Sequence, residues 1–206
     1  MITAPALAPA EATRAERLRG VQPWRRVFHA GNALVAALLP QLLGIGRWVV
    51  VGILSAMLVA LLAFDRARLR RPEINALFFR MVPSLASDRE RTQVASSTWY
   101  ALGLILVYAL FPGRVVIPAI MVLGLADPAA STVGRLWGRT RIGKGTWLGT
   151  SVFFGVTYAI MAWEVGPLAA LPAALAVSAV EVLTLPVDDN LTVPLTAAAA
   201  LWLVGG

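Results

Sequence analysis

The chain has 206 residues, of which 58% are hydrophobic and only 14% are charged, and its mean hydropathy is +0.73. Soluble domains carry about 45–50% apolar and about 25% charged residues, so this composition excludes a soluble protein and indicates an integral membrane protein. Cysteine is absent and histidine occurs once, which excludes a disulfide framework and a zinc site made of thiolates or imidazoles. The formal charge of +7 comes from residues scattered between apolar blocks, and we therefore expect no nucleic-acid binding.

The first residues of the chain are polar. Residues 1–20 are rich in Ala, Pro, Glu and Arg and contain no uninterrupted apolar stretch of the signal-peptide kind, so we expect a mature N-terminus. The pattern predicts a flexible cytoplasmic N-terminal segment over residues 1–24 and a single transmembrane domain over residues 25–206.

Seven apolar blocks follow in chain order, and they predict membrane-spanning helices, because about 20 residues rising 1.5 Å each cross about 30 Å of hydrocarbon. The blocks are residues 27–46, 48–64, 94–113, 115–134, 146–163, 165–187 and 191–204. The last block is the least secure, because its length corresponds to only about 21 Å of helix. The predicted fold class is therefore all-α and polytopic, with about seven transmembrane helices.

Between the second and third blocks, residues 71–91 have the pattern of an amphipathic helix. Ile74, Leu77 and Met81 recur at helical spacing, opposite the charged Glu73. This pattern predicts an interfacial helix on the cytoplasmic face, which Pro83 should break or kink.

The basic residues predict the orientation in the membrane. If the N-terminus is cytoplasmic, 16 of the 18 basic residues lie on that side, and only Arg47 and Arg114 lie opposite. The positive-inside rule therefore places the N-terminus in the cytoplasm. The abundance of Ala and Arg suggests a GC-rich prokaryotic genome, and hence a plasma membrane.

In this topology the acidic residues gather near the densest basic loop. Asp127 lies at the cytoplasmic end of the fourth predicted span, and Asp188, Asp189 and Asn190 lie at the cytoplasmic turn before the last one. Carboxylates at membrane depth are costly and usually functional, although Asp or Asn at this turn would also cap the last helix. Glu181 is open to several roles: pairing with an arginine, holding a metal, binding a hydroxyl, or being protonated and inert.

The basic loop, residues 134–146, alternates glycine with Arg and Lys. This composition suits phosphate, because glycine lets backbone N–H groups approach while the cations supply counter-charge. The spacing from Gly138 to Lys144 also matches a P-loop, but Gly145 stands where Ser or Thr should bind magnesium, and an apolar helix precedes the loop, so we reject that fold. Taken alone, the loop is equally consistent with an orientation signal whose glycines form turns, and Arg139 and Arg141 fit either role.

A cationic glycine-rich loop beside carboxylates is what phosphoryl transfer from a magnesium nucleotide requires. The cytoplasm would supply the nucleotide and the bilayer a lipid whose polar head reaches the interface.

Three motifs resemble one family. Residues 125–138, Leu-Ala-Asp-Pro-Ala-Ala-Ser-Thr-Val-Gly-Arg-Leu-Trp-Gly, and residues 143–150, Gly-Lys-Gly-Thr-Trp-Leu-Gly-Thr, together resemble the central signature of the CTP-dependent lipid-alcohol kinases: dolichol kinase, phytol kinase and the CTP-using diacylglycerol kinase. Asp189-Asn190-Leu-Thr-Val-Pro-Leu resembles that family's late D-N-x-x-x-P segment. Arg26-x-Phe-His29 is a third, shorter match. Together the three matches occur in the order expected along the chain and extend over most of it from Arg25 onward.

The resemblance implies a membrane-embedded kinase that moves the terminal phosphate of CTP to the hydroxyl of a prenol (phytol, geranylgeraniol or a polyprenol) or of diacylglycerol, giving lipid phosphate and CDP. It implies catalytic roles for Asp127, Asp189 and Lys144, and Mg²⁺ ligation by Asp127, Asp189 and Asn190. It also implies CTP binding by Ser131, Gly134, Arg135, Gly138, Gly143, Lys144 and Asn190. The family commonly has Gly-Lys-Ser where this chain has Gly143-Lys144-Gly145, which leaves Thr146 as the substitute hydroxyl.

Two rival functions stay open. A phosphatidate cytidylyltransferase would also use CTP, but it would release pyrophosphate and leave CMP on the lipid. A transporter or non-catalytic scaffold would use the acidic groups as ion sites, and the gathering of charge on one side disfavours it. The sequence leaves open which lipid alcohol is used, which carboxylate is the base, the role of His29, and the oligomeric state.

Overall fold

The computed structural model describes residues 22–205, and the described chain is almost entirely α-helical. The helices are α1 (Pro23–Leu42), α2 (Arg47–Arg70), α3 (Pro72–Met81), α4 (Ser96–Leu110), α5 (Gly113–Met121), α6 (Asp127–Trp137), α7 (Trp147–Val165), α8 (Pro167–Val182) and α9 (Asp189–Gly205). A 3-10 turn, Asp88–Arg91, precedes α4, and a hairpin of two-residue strands, β1 (Arg141–Ile142) and β2 (Gly145–Thr146), precedes α7. The predicted all-α class is confirmed. The predicted N-terminal segment, residues 1–24, lies outside the described residues except for its last three.

Each predicted span coincides with a helix, and α5 and α6 together form the fourth. Three stretches are long and apolar enough to cross a membrane: Arg47–Arg70, Gly113–Trp137 and Trp147–Val165. Helices α4 and α8 are apolar but shorter. Large apolar side chains are exposed along α2, among them Trp48, Ile53 and Val59, as expected for a surface that faces lipid rather than water. The chain is therefore an all-α membrane protein, and the number of spans stays a prediction.

The turn between α1 and α2 ends at Arg47, which has a structural role. Its guanidinium donates hydrogen bonds to the backbone carbonyls of Tyr108, Ala109 (3.2 Å) and Phe111 (3.0 Å) at the C-terminal end of α4. The last carbonyls of a helix lack partners within the helix, so a cation placed there satisfies them. This contact gives a structural role to one of the two basic residues predicted to lie opposite the cytoplasmic side.

Helix α3 occupies the first half of the segment predicted to be amphipathic. It ends at Met81, two residues before Pro83, because the residue before a proline is disfavoured in the helical conformation. The position of α3 at a membrane interface stays a prediction.

A buried polar cluster fixes the loop that follows α3. Arg68 is fully buried and donates to Asp65 (2.6 Å) and to the Gln93 carbonyl (2.7 Å). The second oxygen of Asp65 accepts hydrogen bonds from the Ala95 N–H (3.0 Å) and the Thr98 hydroxyl (2.7 Å). Because every polar partner in this cluster is engaged, the loop that carries Arg89 is held against the ends of α2 and α4.

Helix α9 lies in the middle of the bundle and packs against α4, α5 and α8. Its N-terminus touches α4 at Gly103, where an added Cβ would lie 2.4 Å from the Asn190 carbonyl oxygen. Only a glycine permits this approach, so the residues that begin α9 are positioned by a backbone contact 87 residues away in the chain.

Candidate active site

Most of the residues predicted to form the site line one cavity. The larger of two adjoining cavities has a volume of about 1060 Å³ and is bounded by α6, the hairpin, the start of α7, the end of α8 and the start of α9. Seven predicted residues line it: Asp127, Ser131, Gly134, Arg135, Gly138, Lys144 and Asp189. Arg139, Arg141 and Glu181 line it too. Two candidates are absent from this lining, since Gly143 lies in the hairpin turn and Asn190 lines the neighbouring cavity.

The smaller cavity, of about 380 Å³, adjoins the larger one at residues of α6 and α9 that line both. The shared residues are Asp127, Ser131, Arg135 and Asp189. The remaining walls come from the first turns of α1, the 3-10 region and the start of α4. They include Arg25, Arg26, His29, Arg89, Ser96, Asp188 and Asn190.

A widened helical turn places Asp127 at the shared wall. Residues Val122–Ala126 form a π-type segment immediately before it. Pro128 follows, and its ring would clash with the carbonyl four residues earlier in a regular α-helix. The wider turn removes that conflict, so the helix continues through Pro128 while Asp127 is rotated out of regular register. The Ser131 hydroxyl donates to the Asp127 carbonyl (2.6 Å) and fastens the next turn.

The glycines of the loop allow close packing around Thr146. Its hydroxyl caps α7 by accepting a hydrogen bond from the Gly149 N–H (3.1 Å). A Cβ on Gly134 or Gly138 would lie only 2.8 or 2.3 Å from that hydroxyl oxygen. The two glycines therefore let α6 lie against the hairpin and thereby shape one wall of the larger cavity.

Gly143 and Gly145 differ in the space that surrounds them, although only one residue separates them in the chain. Gly143 has φ +49°, and an added Cβ would lie 2.1 Å from the Val182 carbonyl oxygen. The Lys144 N–H also donates to that carbonyl (3.4 Å). Gly145 has open space, since an added Cβ would meet nothing nearer than 3.9 Å. Gly143 thus docks the hairpin on the end of α8, whereas Gly145 leaves room for a side chain.

Lys144 and Asp189 form an ion pair at the edge of the larger cavity. Burial raises the pKa of Asp189 above its ordinary range, and the hydrogen bond and positive charge of Lys144 oppose this rise only in part. The pair holds the hairpin to the start of α9 and places a cation and a carboxylate side by side.

Asp188 takes the capping role that the sequence left open. It is buried, pairs with Arg89, and accepts hydrogen bonds from the Asn190 backbone N–H (3.0 Å) and side-chain amide (2.8 Å). The Asn190 amide also donates to the Ser96 carbonyl (3.4 Å). The side-chain amide nitrogen of Asn190 therefore bonds both to Asp188, directly before α9, and to the first residue of α4, so that only the amide oxygen is left for a ligand.

Glu181 is a carboxylate whose role the sequence left open. It lines the larger cavity, and its buried Oε2 has no hydrogen-bond partner among the described residues. The available signal was a single carboxylate in an otherwise apolar block, which is rarely placed in a membrane without a function.

The donor set suits a magnesium ion bound together with a substrate. Within residues 22–205, no three Asp, Glu or His side chains come together in a group that could hold a metal alone. Asp127 and Asp189 do line the same cavity. Magnesium usually takes one or two protein carboxylates and completes its shell with water and substrate phosphates, so two carboxylates beside a cationic wall fit that ion.

The chain is similar to CTP-dependent diacylglycerol kinase 1 from three organisms. It is 24% identical to the Schizosaccharomyces pombe protein over 201 residues, covering 87% of this chain and 92% of that protein. It is 32% identical to the Saccharomyces cerevisiae protein over 114 residues (55% of this chain, 39% of that protein). It is 36% identical to the Eremothecium gossypii protein over 80 residues (39% of this chain, 25% of that protein).

The chain thus spans a quarter to two fifths of the length of two of these relatives. No family model matches it, and no solved structure matches it. The similarity confirms the resemblance to the CTP-dependent lipid kinases that the motifs indicated.

Proposed function

We propose that this protein is a CTP-dependent kinase that phosphorylates the hydroxyl of a membrane lipid alcohol. The observation that carries the proposal is the larger cavity, in which Asp127 and Asp189 face the cations Arg135 and Lys144. Diacylglycerol is the first acceptor to test, because the three named relatives are diacylglycerol kinases. Phytol, geranylgeraniol and longer polyprenols are the further acceptors that the motifs imply.

In the proposed reaction the lipid hydroxyl oxygen forms a bond to the γ-phosphorus of CTP, and the bond from that phosphorus to the β,γ-bridging oxygen breaks. The hydroxyl proton passes to a carboxylate at the wall shared by the two cavities, and lipid phosphate and CDP leave. Because the transition state is loose, the proton is transferred late, and strong prior deprotonation is not needed.

The roles of the chain's own residues follow from their positions. Lys144, Arg135 and backbone N–H groups of the hairpin bind and orient the CTP phosphates. Asp127 and Asp189 would hold Mg²⁺, with the oxygen of Asn190 as the further candidate ligand. When bound, that ion would neutralise phosphate oxygens as charge shifts to the leaving group.

We further propose that all seven helical spans cross the bilayer, that α3 lies at the cytoplasmic interface, and that the N-terminus is cytoplasmic, in a prokaryotic plasma membrane. The absence of native cysteine makes a direct test possible. Arg139 lies on the predicted cytoplasmic side, and Glu164, near the C-terminal end of α7, lies on the opposite side. Glu164→Cys should therefore react with an impermeant maleimide in intact membranes, whereas Arg139→Cys should react only after the cytoplasmic face is opened. Labelling of both from one side would contradict this topology.

The proposed activity is tested with purified protein in lipid nanodiscs, with Mg²⁺, γ-labelled CTP or ATP, and separate acceptors: diacylglycerol, phytol, geranylgeraniol, farnesol and a long polyprenol. We expect labelled lipid from CTP, and none from an Asp127→Asn variant that unfolds at the wild-type temperature. Absence of labelled lipid with every acceptor, together with CMP-lipid formed from phosphatidate and α-labelled CTP, would establish a cytidylyltransferase instead. Inactivity in both assays would favour a transporter or scaffold.

A further inference from the structure

Several polar residues that line the smaller cavity have no part in the nucleotide chemistry above. Arg25 donates through Nη2 to the Ser96 hydroxyl (3.3 Å) and lies 3.6 Å from the carboxylate of Glu90. Glu90 is buried and also accepts from the Ser96 hydroxyl (2.9 Å). A buried acid thus holds Arg25 in place at the edge of the cavity, as Asp188 holds Arg89.

His29 lies in the same cavity with one ring nitrogen unused. Its ring packs edge-on against Tyr100 with 5.4 Å between centroids. Its Nε2 is buried and has no partner among the described residues. A buried polar atom without a partner costs free energy, and a ligand hydroxyl that hydrogen-bonds with Nε2 would recover it.

The first turns of α1 connect this cavity to an apolar surface. Arg25, Arg26 and His29 line the cavity, whereas Trp24, Val27 and Phe28, which alternate with them in the chain, are exposed. In a membrane protein such a surface faces lipid, and tryptophan is typical of the depth of the headgroups. A lipid could therefore keep its acyl chains against α1 while its polar head enters the cavity.

We infer that the smaller cavity binds the polar head of the acceptor lipid, with the reacting hydroxyl hydrogen-bonded to His29 Nε2 and directed toward Asp127 at the shared wall. This inference rests on the proposed kinase function and adds the place of the second substrate. A guanidinium has five N–H donors, and among residues 22–205 Arg25 contacts Ser96 and Glu90 through Nη2 alone. The other donors suit the ester carbonyls of a diacylglycerol, which a prenol lacks.

The larger cavity matches the larger polar substrate, the nucleotide, and the smaller cavity matches the lipid head. The larger one, about 1060 Å³, has room for a nucleoside triphosphate. The smaller one, about 380 Å³, suits a glyceryl head whose chains remain outside. Because Asp127, Ser131, Arg135 and Asp189 line both cavities, the hydroxyl and the terminal phosphate would meet beside these residues.

Steady-state kinetics on single variants test the assignment. His29→Phe keeps the ring against Tyr100 but removes the nitrogen, and we expect a roughly 3- to 10-fold rise in KM for diacylglycerol and for phytol, the effect of one lost hydrogen bond. Arg25→Gln should raise KM for diacylglycerol and leave that for phytol unchanged. In both variants KM for CTP should stay within about twofold of wild type, whereas Arg141→Gln, in the larger cavity, should raise KM for CTP alone. Arg80→Gln, exposed and outside both cavities, is the charge-matched control.

A binding measurement that needs no turnover separates this inference from the proposed function. Wild-type protein in nanodiscs is irradiated with a diacylglycerol carrying a photoreactive group beside its hydroxyl, and the labelled peptides are identified by mass spectrometry. Labelling of the first turns of α1 and the start of α4, competed by unmodified diacylglycerol, would support the lipid site even in a protein that transfers no phosphate from CTP. Labelling confined to the hairpin and the end of α8, or a rise in KM for CTP in His29→Phe, would overturn it.

Discussion

The ammonium of Lys144 is paired with the carboxylate of Asp189, although 45 residues separate them in the chain. The pair joins the glycine-rich hairpin to the start of α9, and so brings the two parts of the family signature to one cavity. Neither residue alone would be sufficient to bind a magnesium nucleotide. The phosphate groups require a cation such as Lys144, and a magnesium ion bound to them would require a carboxylate such as Asp189.

Replacement of either shared-wall carboxylate should abolish transfer without unfolding the protein. Asp127→Asn and Asp189→Asn keep the side-chain volume but remove the charge, and the loss of one group that stabilises a transition state costs about 10²- to 10³-fold in rate. The measurement is the initial rate of lipid phosphorylation from γ-labelled CTP. Asp88→Asn is the control, since that carboxylate is exposed and paired only with Arg91 on its own turn among the described residues. A rate within threefold of wild type for Asp127→Asn would contradict the site.

Asp189 should lower the stability of the protein at neutral pH. Burial raises the pKa of Asp189, so the folded protein favours the protonated carboxyl group. The resulting contribution to the free energy of unfolding is fully present below the ordinary aspartate pKa. It is lost as pH rises through the raised pKa. We therefore expect Asp189→Asn to unfold at a temperature equal to or above wild type at pH 7, with the difference vanishing in acid.

Thermal unfolding in detergent from pH 4 to pH 8 measures this effect. Asp65→Asn is the contrasting variant: its carboxylate pairs with the buried Arg68, and breaking such a pair costs about 3–5 kcal/mol. The expectation would be refuted if Asp189→Asn unfolded at a lower temperature than wild type at pH 7 and the difference were the same at pH 4.

Gly103 should be essential although it lines neither cavity. Gly103→Ala places a methyl group 2.4 Å from the Asn190 carbonyl oxygen, and the separation of α4 from α9 should cost about 1–3 kcal/mol and displace Asp189. Gly155→Ala is the matched control, because nothing lies within 4 Å of its added Cβ and alanine favours a helix. We expect lower activity and a lower unfolding temperature for Gly103→Ala only. Equal behaviour of the two variants would rule out a positioning role for Gly103.

Replacing Gly145 by the serine that is common in the CTP-dependent lipid kinases should preserve folding and activity. Gly145→Ser meets no steric obstacle, so we expect a folded kinase with activity equal to or above wild type. Gly143→Ser must place a side chain at φ +49° and against the Val182 carbonyl, and it should raise KM for CTP by detaching the hairpin from α8. Kinetics with varied CTP, together with unfolding temperatures, distinguish the two. Loss of activity in a stable Gly145→Ser protein would show that the glycine itself is required.

The positions of the helices could be predicted because they depend on local features. Apolar blocks and prolines are properties of neighbouring residues: Pro83 ends α3 as expected, and the predicted spans coincide with helices. The hairpin was predicted only as a loop, since four residues of strand carry too little pattern to stand out. The π-type segment before Asp127 was not predicted either, because the sequence shows a proline conflict but not how the backbone resolves it.

The sequence by itself determined that this protein is a helical membrane protein whose acidic and basic motifs resemble those of CTP-dependent lipid kinases. The resemblance at Asp189-Asn190 implied a functional role for Asp189, but the sequence left open what the adjacent and chemically identical Asp188 does. Only the tertiary structure decided that Asp188 is buried against Arg89, 99 residues away in the chain, while Asp189 lines the cavity beside Lys144. Asp188 directly precedes α9 and Asp189 is its first residue, and the partner that each carboxylate meets is set by how elements distant in the chain pack around this point.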